Sequence, residues 1–186
     1  MNSSEEKTLT DTRKFELIYS QDKIAERIKE LGNQISQDYK EKDPVLIGVL
    51  KGCILFFADL IREISVPIEL EFVNASSYNG GVEPDKDVVL SSGPKISLTG
   101  RHVLLVEGVV DSGHTAVEIM KQVRLEDPAS VEMVSLLNKP KCRKMPVEIK
   151  YIGFEAEDYF VIGFGLDQGQ KYRNLPFIGR VLNNND

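Results

Sequence analysis

The chain has 186 residues, of which 41% are hydrophobic and 28% charged, and its formal net charge is −6. This length predicts one domain, 1–186, with a substantial core. The acidic balance argues against nucleic acid as a partner, because phosphate contacts require a basic face. The chain has 2 cysteines, too few for a disulfide framework or a thiolate metal site, so we expect a reduced, cytoplasmic setting.

The start of the chain is polar and of mixed charge, without the apolar segment of a signal peptide. No apolar run approaches the roughly 20 residues of a membrane span, so we expect no membrane partner. Residues 1–13 and 183–186 are expected to be disordered tails.

Apolar spacing predicts the first elements in chain order. Residues 21–40 carry an apolar residue every three or four positions, which predicts a helix with one apolar face. The continuous apolar run at 44–50 predicts a buried strand, and the spacing at 54–64 is again helical. Residues 68–72 alternate apolar and charged side chains, which predicts a strand with one buried face.

The composition changes between residues 76 and 100, which are rich in Gly, Ser, Pro and Asp. This segment predicts a hairpin or mobile loop, with short strands at 88–90 and 95–97. A fully apolar strand follows at 102–106, and helical spacing begins near residue 115. Three later strands are predicted at 131–137, 148–154 and 159–164.

This order of elements predicts an α/β fold with a mostly parallel central sheet flanked by helices. Ligands of such folds bind at the carboxyl ends of the strands. Three of these ends carry glycine or polar residues: 50–52, 107–115, and the stretch that ends at Asp167.

The segment 107–115, EGVVDSGHT, has the chemistry of a phosphate site. A helix start offers free N–H groups, and Gly113 lets a ligand approach the backbone. Ser112 and Thr115 add hydroxyl donors. An ordinary capping box from Thr115 to Glu118 is the alternative interpretation.

The two acids of this segment need a different partner, because a carboxylate repels a phosphate. Glu107 and Asp111 suit a metal ion, sugar hydroxyls or a proton in transfer. The segment matches neither the GxGxxG fingerprint nor the Walker pattern, so dinucleotide binding and NTP hydrolysis lack support.

An apolar strand followed by an acid, one neighbouring residue, two aliphatic residues and Asp-Ser-Gly-x-Thr resembles the ribose-phosphate signature of type I phosphoribosyltransferases. Other segments resemble, in order, the hypoxanthine-guanine branch of that family, and the similarity covers roughly residues 18–182. They are LIGVLKG at 46–52, SSY at 76–78, LLNKP at 136–140, YIGFE at 151–155, FVIGFGLD at 160–167 and KYRNLPFIG at 171–179.

The resemblance implies Mg²⁺-dependent transfer of ribose 5-phosphate from phosphoribosyl pyrophosphate to N9 of a 6-oxopurine. Hypoxanthine and/or guanine would give IMP or GMP, with pyrophosphate as the other product. It also implies a small hood over the sheet, a mobile loop, and a homodimer or homotetramer.

Roles follow by resemblance at matching positions. Asp111 matches the general acid/base near purine N7, and Glu107, with position 108, matches the ribose contact. The 5′-phosphate cradle is Ser112, Gly113, His114 and Thr115; the pyrophosphate contacts are Leu50, Lys51, Gly52 and Arg173; the purine contacts are Lys139, Phe160, Val161 and Asp167; the Mg²⁺ ligands are Glu107 and Asp167; and the head of the mobile loop is Ser77 and Tyr78.

Simpler interpretations exist for single residues. Lys51 also fits an exposed lysine at a strand end, and Phe160 also fits plain core packing. His114 fits a bystander at the variable position of the turn, and Cys53 fits a small buried residue that opens a helix. The resemblance also implies that the Leu50–Lys51 peptide bond can be cis.

Gly108 departs from the family, which usually has a second acid at this position. We hypothesise that Glu107 alone still orients the ribose diol, with a lower apparent affinity for Mg²⁺ or phosphoribosyl pyrophosphate. The functional alternative is a non-catalytic regulator with the same fold that controls gene expression. The chain has no basic tail or helix-turn-helix extension for that role. It also retains four residues that favour catalysis: Asp111, Lys139, Asp167 and Arg173.

Overall fold

The structure is a computed structural model that describes residues 15–76, 89–90 and 96–182. The predicted tails, the predicted strand position 88 and the start of the predicted 95–97 strand lie outside these residues. The elements are, in chain order, β1 Phe15–Tyr19, α1 Gln21–Asp38, β2 Val45–Leu50, α2 Ile54–Glu63, β3 Glu69–Ser76, β4 Val89–Leu90, β5 His102–Val110, α3 His114–Arg124, β6 Ser130–Asn138, a 3₁₀ turn Pro140–Cys142, β7 Tyr151–Glu155, β8 Val161–Ile162 and β9 Ile178–Val181.

Within the described residues the main sheet has 6 strands, in the order β4-β3-β2-β5-β6-β7. Strands β3, β2, β5, β6 and β7 run parallel, and β4 pairs antiparallel with β3 at one edge. The prediction of a mostly parallel central sheet is therefore confirmed.

Side chains of the buried strands alternate between two apolar cores, one on each face of the sheet. Leu46 and Leu104 belong to the core that contains the apolar residues of α1 and α2. Ile47 and Leu105 belong to the core that contains those of α3, such as Ile119. Helices thus cover both faces, as the sequence predicts.

A second, antiparallel sheet has the order β1-β9-β8 and forms the small hood. Sequence periodicity did not predict β1 or β9, and it predicted β8 too long, at 159–164. The strand ends after Ile162 because Gly163 and Gly165 have φ angles of 92° and 95°, outside the extended region.

Other boundaries also differ from the prediction. Strand β3 ends at Ser76 rather than at 72, and β5 ends at Val110 rather than at 106, so Glu107 lies inside the strand. Strand β7 begins at Tyr151 rather than at 148, and residues 96–97 are not in a strand. The prediction that β3 buries its apolar face is wrong, because Leu70 and Phe72 are 42% and 41% exposed. Among the described residues no helix is long and apolar enough to cross a membrane.

Because the strands run parallel, the polar loops that follow them lie together at the carboxyl end of the sheet. Leu50, Val110 and Asn138 end the adjacent strands β2, β5 and β6, and Val110 is paired with Asn138. The residues that follow these ends are therefore neighbours, although they are distant in sequence.

Candidate active site

The turn that follows β5 presents uncapped backbone N–H groups. Helix α3 begins at His114, and its N-cap residue Gly113 has a φ of 89° and no side-chain capping bond. Thr115 lies inside the first turn of the helix, so the capping-box interpretation is wrong. The N–H groups of this turn remain available to an anion.

Acids and hydroxyls of this segment line one cavity of about 90 Å³. Its wall includes Glu107, Asp111, Ser112, Gly113 and Thr115. The Asp111 side chain is 54% exposed. His114 is also exposed, and its Nδ1 lies 3.1 Å from the Ser112 hydroxyl. The structure thus brings the predicted phosphate cradle and both predicted acids to one place.

Glu107 is buried inside β5, three residues before the strand ends at Val110. Burial raises the pKa of this carboxyl to about 8, although the backbone N–H of Gly108 partly opposes the shift. The free protein therefore favours the neutral carboxylic acid near pH 7. A cation beside Glu107 would restore the charged form.

The loop of residues 50–53 begins at the end of β2, and its Leu50–Lys51 peptide bond is cis, as the resemblance implies. Lys51 is exposed, and its Nζ donates to Oε1 of Gln170 over 3.4 Å. Cys53 is fully buried and precedes α2, which confirms the structural interpretation of that residue.

Arg173 reaches the same acceptor as Lys51. Its Nη2 donates to Oε1 of Gln170 over 3.2 Å and pairs with Oδ1 of Asp167 at 2.7 Å. Two of the four predicted pyrophosphate contacts, Lys51 and Arg173, therefore meet at one neutral oxygen, next to the predicted Mg²⁺ ligand Asp167.

A nearly buried lysine pairs with Asp111, and an exposed aromatic residue directly follows the carbonyl group to which this lysine donates. The Lys139 side chain is 7% exposed, and its Nζ donates to the Tyr159 carbonyl over 2.7 Å and lies 3.5 Å from Asp111 Oδ2. Phe160 is 54% exposed, so its interpretation as core packing is wrong. Val161 beside it is buried in β8.

Three further residues of this region were not singled out from the sequence. Arg143 donates from Nη2 to Asn138 Oδ1 and, over 3.4 Å, to the Val110 carbonyl, so it joins the ends of β6 and β5. The basic run at 139–144 was the only signal for it. Gln170 and the Tyr159 carbonyl gave none, because their roles depend on residues distant in sequence. Ser77 and Tyr78 lie outside the described residues.

Comparison with known proteins identifies the family. Residues 15–169 match the phosphoribosyl transferase domain model. The chain is 40% identical to the hypoxanthine phosphoribosyltransferase of Escherichia coli over 169 residues, with 90% of this chain and 95% of the relative covered. The enzyme of the same name from Haemophilus influenzae is 38% identical over 170 residues, again with 90% and 95% covered.

A solved structure of a Staphylococcus aureus hypoxanthine phosphoribosyltransferase matches with a TM-score of 0.86 and 37% identity, covering 90% of this chain and 91% of that one. The chain therefore belongs to the phosphoribosyltransferase family, in the branch of the hypoxanthine phosphoribosyltransferases. The relatives named here are enzymes, and none of their names supports the regulatory alternative.

Proposed function

We propose that the chain transfers ribose 5-phosphate from phosphoribosyl pyrophosphate to N9 of hypoxanthine and/or guanine, as a step of purine salvage in the cytoplasm. One observation carries this proposal. In this member of the family three features lie next to one another: an uncapped helix start with hydroxyl groups, the carboxylate of Asp111 and the nearly buried Lys139. Two free cysteines are consistent with the cytoplasmic setting.

The turn at the start of α3 would bind the 5′-phosphate. Backbone N–H groups and the positive end of the helix dipole favour an anion, and the hydroxyls of Ser112 and Thr115 add donors. Arg143 would hold this turn against the end of β6 through its bonds to Val110 and Asn138.

Lys139 and Phe160 would select and hold the base. An ammonium group has only donors, so Lys139 fits an oxygen at C6 and not an amino group. The exposed ring of Phe160 offers a flat apolar face on which a purine can stack.

Asp111 would take the proton that the purine loses. The C1–O bond to pyrophosphate breaks, the C1–N9 bond forms, and the imidazole-ring proton of the base passes to the Asp111 carboxylate. Lys51 and Arg173 would balance the charge of the departing pyrophosphate, taking its oxygens in place of Gln170 Oε1.

The donor set suits Mg²⁺. In the described part of the chain no cluster of three or more candidate metal-binding side chains exists. Mg²⁺ commonly binds through one or two carboxylates together with substrate phosphates and water. Glu107, a buried acid that a cation would ionise, and Asp167 would each hold one ion, which would neutralise pyrophosphate charge when bound.

We also propose that the protein is a homodimer or homotetramer. Leu70 and Phe72 on β3 and Ile54 on α2 are each more than 40% exposed. The Phe72 ring packs on Phe57, one helical turn after Ile54, with ring centroids 4.8 Å apart. Exposed apolar side chains therefore occur both on β3 and on the helix that packs against it, as expected for a subunit contact.

A base panel tests the activity. The protein is incubated with Mg²⁺ and phosphoribosyl pyrophosphate plus hypoxanthine, guanine, xanthine or adenine, and the nucleotides are separated by chromatography. We expect IMP or GMP and no AMP. Absence of product from every 6-oxopurine, with retained binding of phosphoribosyl pyrophosphate, would favour the regulatory alternative.

A further inference from the structure

The main-chain carbonyl of Gly52 lies in a narrow slot between two other glycines. A β-carbon at position 108 would lie 2.7 Å from this oxygen, and one at position 165 would lie 2.4 Å from it. Real β-carbons essentially never approach a heavy atom closer than 3.0 Å. In a glycine this direction carries only a hydrogen, so the α-hydrogens of Gly108 and Gly165 point at one oxygen.

The slot joins three elements of the proposed site. Gly52 belongs to the 50–53 loop, and Gly108 follows Glu107 in β5. Gly165 lies in a turn that Arg173 holds: its N–H donates to the Arg173 carbonyl over 2.9 Å, and Arg173 Nη1 donates to its carbonyl over 2.7 Å. All contacts of the slot are to main-chain atoms, so no rotamer change can relieve a clash there.

We infer that Gly108 and Gly165 are positioning residues that set the place of the 50–53 loop through the Gly52 carbonyl, and with it the binding of pyrophosphate groups. The inference rests on the proposed function, which assigns Lys51 of this loop to pyrophosphate. A side chain at either glycine pushes the loop away from β5 and from Arg173. In this chain the contacts of Lys51 and Arg173 with the same pyrophosphate group are then weakened.

The slot also changes the hypothesis about Gly108. A second acid at this position would have its β-carbon 2.7 Å from the Gly52 oxygen and 3.2 Å from the Cys53 nitrogen. With the loop in its present place, Gly108→Asp cannot restore a carboxylate to the ribose side. The present position of the loop requires a glycine at 108. Gly108→Asp therefore weakens the binding of phosphoribosyl pyrophosphate instead of improving it.

Two variants and two matched controls test the inference. Gly108→Ala and Gly165→Ala fill the slot from opposite sides. Gly32→Ala is the control for crowding, because a β-carbon there would lie 2.5 Å from Glu63 Cβ, at the far end of α2 from the loop. Gly100→Ala is the control for backbone strain, because its φ is +72° and nothing lies within 4 Å of the added carbon.

The readouts are the KM values for phosphoribosyl pyrophosphate and for hypoxanthine, the binding of inorganic pyrophosphate by calorimetry, and the thermal midpoint of each variant. We expect both slot variants to raise the KM for phosphoribosyl pyrophosphate at least about tenfold and to weaken pyrophosphate binding. The KM for hypoxanthine stays within about twofold. The controls lower the thermal midpoint and leave both KM values within about twofold.

The outcomes separate this inference from the proposed function. An active wild type whose slot variants keep their KM for phosphoribosyl pyrophosphate overturns the inference alone. Slot variants that raise the KM for hypoxanthine as much as the KM for phosphoribosyl pyrophosphate overturn it as well. An inactive wild type overturns the proposed function, and the calorimetric comparison still decides whether the slot affects pyrophosphate binding. Because the two glycines lie in a strand and in a turn, failure of one variant to fold leaves the other to decide.

Discussion

Replacing Glu107 by Gln should make the protein less sensitive to alkaline pH. The pKa of this buried carboxyl is raised from 4.5 to about 8 by burial. Between pH 4.5 and about 8 the folded state therefore keeps a proton on Glu107 that the unfolded chain has released. The stability that the neutral acid contributes is complete below pH 4.5, falls as pH rises, and is lost once pH passes about 8.

The magnitude follows from proton linkage. Between pH 6 and 7.5 one extra proton stays on the folded state, so the free energy of unfolding falls by about 1.4 kcal/mol per pH unit from this group. The amide introduced by Glu107→Gln has no proton to lose. The free energy of unfolding of the variant, relative to that of the wild type, should therefore rise by about 2 kcal/mol across this interval. Urea unfolding at pH 6.0, 6.5, 7.0 and 7.5, in the presence of a chelator, measures the difference.

Glu132→Gln is the matched control on the neighbouring strand β6. Burial opposes ionisation of Glu132, but hydrogen bonds from Lys150 and Tyr39 outweigh it and lower its pKa. Glu132 is therefore ionised in both states over this range, and the free-energy difference of its variant should not change with pH. Parallel stability curves for Glu107→Gln and the wild type would refute the reasoning about Glu107.

Three further variants test other parts of the site and surface. Phe160→Ala should raise the KM for hypoxanthine about tenfold, on the scale of base–aromatic stacking, with the KM for phosphoribosyl pyrophosphate unchanged; equal effects on both would contradict the stacking role. Gln170→Glu places a carboxylate between Lys51 and Arg173 and should raise the KM for phosphoribosyl pyrophosphate about tenfold; an unchanged value would show that pyrophosphate does not bind between these cations. Phe72→Glu should lower the molar mass measured by light scattering; a mass equal to that of the wild type would exclude this surface as the subunit contact.

The centre of the main sheet could be predicted because β2 and β5 are buried on both faces. β2 and β5 are continuous apolar runs bounded by polar or glycine residues, and α1 and α3 have one apolar face each. β1 and β9 could not be predicted, since they are short and only half-buried, and their pairing joins residues at opposite ends of the chain.

The exposed side of β3 shows a second limit of periodicity. Alternation at 68–72 predicts that one face is apolar, but not that another surface covers it. Leu70 and Phe72 remain more than 40% exposed within this chain. A pattern that serves a contact between chains looks the same in sequence as one that serves the core.

At the site, residue type and spacing predicted the phosphate turn and its two acids. The 90 Å³ cavity that contains Glu107, Asp111 and Ser112 confirms that these residues lie together. The Gly52 slot could not be predicted, because it depends on three main-chain segments that meet only in the folded protein. Gly108 looked like the loss of an acid in the sequence, whereas in the structure it is the residue that makes room for a carbonyl oxygen.

The most direct test of the proposed function compares wild type with Asp111→Asn in one reaction. With Mg²⁺, hypoxanthine and phosphoribosyl pyrophosphate, the wild type should release IMP and pyrophosphate in equal amounts. Asn cannot accept the purine proton, so the variant should form IMP about 10²- to 10⁴-fold more slowly. Absence of IMP with the wild type, or an equal rate with Asp111→Asn, would contradict the function or the role assigned to this carboxylate.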